Sequence, residues 1–444
     1  MDPPISNDKQ KSHPEEITDI QERSTKKRKQ NHKAEQTKTE DTLCMRSKPV
    51  YYFENGLRKV KPYWFTYFVN AKLRWFGRGV YDVFKTEFKD REAEHEPPIV
   101  AKDIRIVGRA NGYIAIDKPA GITVHPSGRY RYNTVVEIMA NKLGVDKIYL
   151  GNRLDRMVSG LMILGTDAEN ARKLEQEMSA RKVQKKYICR VLGTFPEGVV
   201  ICDKPIRTVA HKLGLNCVDI EGGKESLTEF EKIFSDEHTS VVICRPKTGR
   251  THQIRVHLQY LGFPIVNDPL YCNPNIWGAK LGYLGQLPEQ VDEKKLEHVD
   301  PGELKFDVGG HDIVDLSKQQ ANTNSDLLQP LIDRLLNEIR AGSMDGTAGL
   351  NSATDNENIR DTGHVGESSS DLDTKTNDQP TTTFCPECHQ MEYPDPAISD
   401  LGIWLHAMSY SGHNWSFETE IPDWAESSFI PKLPKQLLDI LSHR

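Results

Sequence analysis

The sequence predicts a mixed α/β fold of the α+β kind, and three observations lead there. Strand-type alternation and helix-type spacing of apolar residues intermix along the middle of the chain, without the regular βαβ repeat of a doubly wound sheet. Charge divides between a basic body and an acidic segment: residues 46–90 carry net +6 and 101–270 net +7, whereas 281–380 carry net −12. Hydrophobic residues make up only 37% of the 444, too few for all of the chain to bury a core.

Residues 1–45 are polar, rich in Lys, Glu, Gln and Thr, and are expected to be a disordered tail. Within them Lys26-Lys27-Arg28-Lys29 reads either as a nuclear import signal or as an ordinary basic run. Residues 46–96 form a basic, aromatic region. Tyr51, Tyr52, Phe53, Tyr63, Trp64, Phe65, Tyr67 and Phe68 alternate there with Arg58, Lys59, Lys61, Lys72, Arg74 and Arg78. Such a mixture can stack on RNA bases and neutralise phosphates, or supply the core of a small β-rich element, and the second reading is preferred for most of the aromatics.

A compact domain is expected over 97–280. Ile114 and Ile116 alternate in a strand ending at Lys118-Pro119. Asn133 is placed to cap a helix bearing Val135, Ile138 and Met139, closed by Gly144, and Asp167 to cap one bearing Ala171, Leu174 and Met178. Tyr187, Cys189 and Val191 alternate in the next strand, and Ser240–Cys244 is another. Thr251 opens a helix with Ile254, Leu258 and Leu261 inward, stopped at Gly262. Residues 281–380 are expected to be an acidic disordered insertion, 290–375 of it dispensable for folding and catalysis, with a transient helix around Leu331, Leu335 and Ile339. Order resumes over 381–444, where Trp404, Leu405, Trp415, Phe417 and Trp424 promise packing.

Several classes fall away. No apolar run is long enough to cross a membrane as a helix, and the first residues lack the apolar core of a secretory signal. Their mixture of Glu, Asp and Lys argues against a mitochondrial presequence. Eight scattered cysteines do not read as a disulfide framework, so the cytoplasm or nucleus is expected ahead of the mitochondrion. No glycine-rich phosphate loop follows a strand, which removes a nucleotide-binding α/β enzyme.

The chemistry concentrates in two segments. In Gly151-Asn152-Arg153-Leu154-Asp155-Arg156-Met157-Val158-Ser159-Gly160-Leu161, an extended backbone points Arg153 and Asp155 to one side and Leu154 to the core. A carboxylate flanked by arginines is held ionised, which suits a nucleophile or an electrostatic stabiliser better than a general acid. In the second segment, Arg245 to Tyr271, the helix buries Ile254 and Leu258 and leaves His252, Arg255 and Gln259 on or beside its other face. Gly249 lets backbone approach closely, and the helix N-terminus suits a phosphate. Taken singly, each segment also fits a surface ion pair or an ordinary amphipathic helix.

Taken together they resemble the motifs of RluA-type RNA pseudouridine synthases. KPAGITVHPSG at 118–128 is similar to the opening motif, NRLDRMVSGL at 152–161 to the second, Lys185-Lys186-Tyr187 to the K-x-Y motif, and GRTHQIRVHLQYLGFPIVNDPLY at 249–271 to the third. The YYFENGLRKVKPYWFTY opening and the tryptophan-rich end resemble the eukaryotic branch, and Leu405-His406-Ala407 resembles a family strand. Asn152 stands where the family usually has His, and Val158 where it has Thr. Many members carry a small αL-type RNA-binding domain first, and here only Val80–Phe84 resembles its first helix, so a truncated remnant is expected.

The resemblance implies a catalytic domain on a long, mainly antiparallel sheet with a central basic cleft. It implies isomerisation of uridine to pseudouridine within RNA, tRNA first and mRNA or rRNA as alternatives, without a cofactor, by a monomer that needs no membrane. Asp155 would be the catalytic carboxylate, Arg255 its partner, and Tyr187 the residue packed on the base. Arg153 would fill the space left by the flipped nucleotide, with Lys118 and Ile254 in support. Two rivals stand beside this reading: an inactive RNA-binding protein of the same fold, and a zinc-dependent interaction module. The second rests on Cys385 and Cys388, with His406 or His413 as further ligands.

Overall fold

The computed structural model describes residues 49–63, 71–87, 96–127, 129–210, 214–286, 325–340, 383–384, 391–392 and 394–443. The chain divides into two units, residues 1–50 with 62–94, and residues 51–61 with 95–444. In the first unit the described residues form a 3₁₀ turn at Leu73–Trp75 and helix α1 (Val80–Glu87), which takes in the segment that resembled an αL-type helix. Leu73, Phe76, Val80 and Tyr81 are exposed there, and the Lys72 ammonium lies 5.5 Å from the centre of the Trp75 ring. Trp64, Phe65, Tyr67, Phe68 and the tail 1–45 lie outside the described residues.

The second unit opens earlier than Pro97. Strands β1 (Tyr51–Glu54) and β2 (Leu57–Val60) form a hairpin, and β2 pairs with β3 (Ile99–Val100), so the 51–60 segment joins this unit. Leu57 and Val60 are buried, but Tyr52 and Phe53 are exposed, so these two aromatics are not the core that the sequence suggested.

The main sheet is built from β4 (Arg105–Ala110), β5 (Tyr113–Lys118), β6 (Tyr149–Leu150), β7 (Ser159–Gly165), β8 (Gln184–Leu192), β9 (Val199–Cys202), β12 (Thr228–Ser235), β13 (Thr239–Pro246), β16 (Leu405–Ser411) and β17 (Ser416–Glu418). A separate hairpin, β10 (Ile206–Ala210) with β11 (Leu215–Val218), lies between β9 and β12 in sequence, and a small pair, β14 (Thr383–Phe384) with β15 (Met391–Glu392), precedes β16. The ten-stranded sheet runs β4-β5-β7-β16-β8-β13-β12-β9, with β6 added on β7 and β17 on β16. The pairs are antiparallel except β7 with β16. This is the mixed α/β fold that the sequence pattern predicts, with the long, mainly antiparallel sheet that the family resemblance implies.

The most buried strands read as continuous apolar runs in place of alternation, as strands covered on both faces do: Leu161–Leu164 in β7 and Val241–Cys244 in β13 are all buried. The parallel contact sets His406 against Ser159 and Ala407 against Gly160. Gly160 has φ +108°, and a Cβ there would sit 2.3 Å from the Ala407 carbonyl oxygen, so only glycine fits. Helix α2 (Val135–Leu143) is capped by Thr134, whose hydroxyl accepts from Glu137 N, and not by Asn133. Asn133 is buried and donates to the Pro97 carbonyl. Helix α3 (Ala168–Ser179) is capped by Asp167 as expected, and Gly144 closes α2 at φ +66°.

Helix α4 (Gln253–Tyr260) and the short α5 (Pro274–Trp277) follow β13, then α6 (Ser325–Arg340) and, at the end, α7 (Lys435–Ser442). Two features amend the acidic insertion. Leu281 is fully buried with Leu192, Val266, Cys272 and Leu437, so the packed chain passes residue 280. Helix α6 lies inside the span expected to be disordered, with Leu331 and Leu335 buried against Ile206, Leu215, Tyr271 and Trp277. The leucine stripe has a packing partner that the polar sequence around it conceals.

Candidate active site

A cleft of about 580 Å³ opens between the loop before β7, the β8 strand, the β13–α4 turn and α4. Arg153, Arg181, Lys185, Lys247 and Arg250 line it, with Asp155 and Glu175 as the acidic groups. This is the basic cleft expected of the fold.

Residues 152–155 belong to no helix or strand. Leu154 is buried, Arg153 is exposed and Asp155 is half-buried, as alternation required. Past Asp155 the chain turns, Val158 N donating to the Asp155 carbonyl at 3.1 Å. Lys118, at the end of β5 opposite Gly160, is fully buried. Its Nζ donates to the carbonyls of Pro119, Ile122 and Arg156 at 3.1–3.2 Å, tying β5 to the turn that carries Asp155. Burial brings the Lys118 pKa down to about 7, against the opposite pull of Asp155.

The side chains nearest the Asp155 carboxylate are not the arginines adjacent in sequence but one arginine and one histidine from further along the chain. Among the described residues they come from α4 and the residue before it, with His252 Nε2 at 3.6 Å and the Arg255 guanidinium Nη1 at 3.8 Å from Oδ2. Arg255 does not have Asp155 as its main partner, contrary to the expectation. Its Nε and Nη2 donate to Asp268 at 2.6 and 2.8 Å, a two-pronged pair with both side chains buried. Asp268 also accepts from the amides of Leu270 and Tyr271, and Arg255 together with these bonds offsets burial and holds its carboxyl below the usual range.

Helix α4 is not two-faced: Gln253 through Gln259 are all buried, so Arg255 and Gln259 face protein where the periodicity put solvent. The helix begins at Gln253, after His252 in a left-handed conformation, and not at Thr251. Gln253 ties its start to β12 by donating to Leu227 O and Thr228 Oγ1. Ile254, 7% exposed, lines the cleft. A Cβ on Gly249 would touch only Lys185 Nζ, at 3.7 Å.

Tyr187 is half-buried in β8, its hydroxyl hydrogen-bonded to that of Tyr410 in β16. Burial pushes the Tyr187 pKa up to about 12 and raises that of Tyr410 well above the ordinary phenol value, so both are neutral phenols. Asn152, standing where the family usually has His, accepts from Ile163 N at 2.8 Å.

The structure thus brings Asp155, Arg255, Ile254, Tyr187 and Arg153 to one cleft and places Lys118 beneath it. Sequence reasoning missed Asp268, Tyr410 and the direction of His252. Asp268 and Tyr271 sit in the quoted 249–271 string, and a lone acid in the apolar run FPIVNDPLY was the signal available. Cys385 and Cys388 lie outside the described residues. His406, suggested beside them as a ligand, has both ring nitrogens engaged, with Ser159 Oγ at 2.9 Å and Thr419 Oγ1 at 2.7 Å.

The family model described as RNA pseudouridylate synthase matches residues 112–260. The chain is 34% identical over 424 residues to Pseudouridylate synthase RPUSD2 of Mus musculus, covering 85% of this chain and 73% of that one. It is 33% identical over 420 residues to a Saccharomyces cerevisiae protein named tRNA pseudouridine(32) synthase, mitochondrial, covering 84% and 78%. With the tRNA pseudouridine(31) synthase of the same yeast it shares 29% over 457 residues, covering 84% and 97%. The mitochondrial relative overturns the expectation that ranked cytoplasm and nucleus ahead of the mitochondrion, which rested on the acidic residues among the first forty-five. With a third of its residues shared across most of both chains, and the matched region supplying all of the cleft lining but Leu405 and Tyr410, the chain belongs to the RNA pseudouridylate synthase family and is an isomerase acting on uridine in RNA.

Proposed function

We propose that Asp155 is the carboxylate that attacks or stabilises the ribose carbon during isomerisation, and that the substrate is the anticodon stem-loop of a tRNA. The observation that carries the first part is its place, in the lining of a basic cleft with His252 and Arg255 within 4 Å of one oxygen. The names of the two yeast relatives support the second.

The target uridine leaves its stack, at a cost of a few kcal/mol that phosphate contacts to Arg181, Lys247 and Arg250 offset. Arg153, exposed at the rim, fills the vacated space. The bond from ribose C1′ to uracil N1 breaks with help from Asp155, directly or through a covalent ester. The uracil turns, and C1′ bonds to C5 as the C5 proton is lost and N1 gains one. Tyr187 packs on the base, with Ile254 beside it, and Lys118 fixes the turn holding Asp155. Residues 51–61 and 96–286 with 394–443 make the catalytic domain, α6 being a structural part of the span between the last two pieces. The protein acts as a monomer, without a cofactor.

The test is Asp155→Asn, nearly isosteric but without an ionised oxygen. Wild-type and variant protein are incubated with total RNA, including the mitochondrial pool, from cells lacking the protein, and pseudouridine is mapped by position. Product at tRNA sites from the wild type alone is expected, with RNA binding kept in both. Equal product from both removes Asp155 from the chemistry, and product only in mRNA or rRNA removes the tRNA assignment.

A further inference from the structure

Resting on that reading of Asp155, we infer that His252 is a positioning residue that holds Asp155 through its Nε2–H, and that Tyr271 sets the tautomer in which it does so. The backbone speaks first. His252 occupies the cap position of α4 at φ 57°, ψ 19°, a left-handed conformation uncommon for residues with a side chain, yet its side chain makes no capping bond. Gly or Asn would adopt that conformation at less strain. The imidazole is instead directed at Asp155, with Nε2 3.6 Å from Oδ2.

The ring is neutral. Burial brings its pKa down to about 4, with the Arg255 guanidinium adding to the push, so near pH 7 a single proton is shared between two nitrogens. The hydrogen-bond chain decides which nitrogen carries it. Tyr271 Oη accepts from the backbone N–H of Asn216 at 3.1 Å and lies 3.0 Å from His252 Nδ1. Burial keeps the Tyr271 phenol protonated, and its proton goes to Nδ1. The imidazole proton is then on Nε2, facing the carboxylate, where a lone pair would repel it. The chain runs from Asn216 N–H to Tyr271, from Tyr271 O–H to His252, and from His252 N–H to Asp155. At 3.6 Å its last link is longer than a formed hydrogen bond, and such contacts tighten when substrate closes the site. The β10–β11 hairpin, which supplies Asn216 and lies off the main sheet, thereby acts on the reacting carboxylate.

The experiment measures pseudouridine formation at enzyme excess over total RNA from cells lacking the protein, so that the rate is read apart from affinity. The proteins are wild type, His252→Leu, His252→Gln, Tyr271→Phe and the Tyr271→Phe/His252→Gln double variant, each checked for its melting temperature. His252→Leu is expected to slow the reaction about 10- to 100-fold, the worth of one hydrogen bond to a charged group, with RNA affinity kept. Gln offers an N–H in place of Nε2–H and has no tautomer to set, so it recovers most of the rate. Tyr271→Phe slows the enzyme when His252 is present and adds nothing to His252→Gln. A wild-type rate in His252→Leu, or full additivity in the double variant, overturns the inference. Asp155→Asn is run beside them: product from that variant overturns the reading of Asp155 itself, whereas loss there with an unaffected His252→Leu overturns only the role of His252.

Discussion

Asp268 holds Arg255 by two hydrogen bonds of 2.6 and 2.8 Å, and so leaves one guanidinium nitrogen, Nη1, directed at Asp155 from 3.8 Å. The arginine is fixed by one carboxylate in order to face another. Asp268→Asn therefore breaks a buried ion pair from the side remote from the cleft, and is expected to destabilise the fold by about 3–5 kcal/mol. Arg255→Lys, which keeps the charge without the fork, is expected to recover little of either stability or turnover. Urea unfolding of both variants checks this, and a wild-type midpoint for Asp268→Asn would remove the pair from the support of the site.

Gly160→Ala places a methyl group 2.3 Å from the Ala407 carbonyl oxygen at a residue with φ +108°. The strand must shift or the parallel pairing must open, and a loss of at least about 2 kcal/mol is expected. Turnover falls with it, because β16 also carries Tyr410, the partner of Tyr187. Chemical denaturation together with an activity assay reads both, and an unchanged midpoint would mean that β7 and β16 can separate at no cost.

Leu331→Ala and Leu335→Ala empty buried positions in the cluster that includes Tyr271. Each is expected to lower stability by about 2–5 kcal/mol. Replacing 290–375 by a short flexible linker, harmless if the span were only an acidic spacer, is expected to lower the melting temperature. Deletions that spare 325–340 are expected to leave it nearly unchanged, and calorimetry of the two deletions separates the readings.

Acid should unfold the protein through its buried histidines. Burial brings His252, His257 and His406 down to about 4 from 6.5. In the unfolded chain they take up protons as pH falls through 6.5, while in the fold they do not until about 4. Stability is then fully present above pH 6.5 and is lost as pH falls toward 4, by about 1.4 kcal/mol per pH unit for each histidine. Urea midpoints at pH 7, 6, 5 and 4 measure the slope, and a flat profile over that range would mean that the three rings are protonated in the fold.

What the sequence disclosed and what it hid divide along physical lines. Asp155, Arg153 and Leu154 were legible because a strand-like segment alternates and its side-chain directions follow from spacing alone. The cap at Asp167 was legible because its bond is local, whereas Asn133, one residue from the true cap, was taken by a distant carbonyl. The partner of Arg255 was misread because ion pairs are chosen by tertiary approach: Asp268 lies across a turn, and the buried helix between them carries a polar pattern that periodicity assigns to water. Helix α6 was misjudged for the opposite reason. Its stripe was visible, but the surface it packs on comes from β10, β11 and the residues after α4.

The place of β16 in the middle of the sheet sets a schedule for the nascent protein. Its neighbours β7 and β8 are complete by residue 192, but the strand that joins them ends at residue 411. At about 5–20 residues per second, a ribosome needs roughly 10–40 seconds to cross that interval. Throughout it β7 and β8 present unsatisfied edges side by side, an opening for pairing with the wrong chain. The α6 leucines, emerging midway, can already cover the β10–β11 cluster, but Tyr187 has no hydroxyl partner until the late strand docks. A chain released early would therefore hold the motifs of the enzyme without the wall that Leu405 and Tyr410 add to its cleft, and it is the last tenth of the polypeptide that closes the sheet behind those motifs.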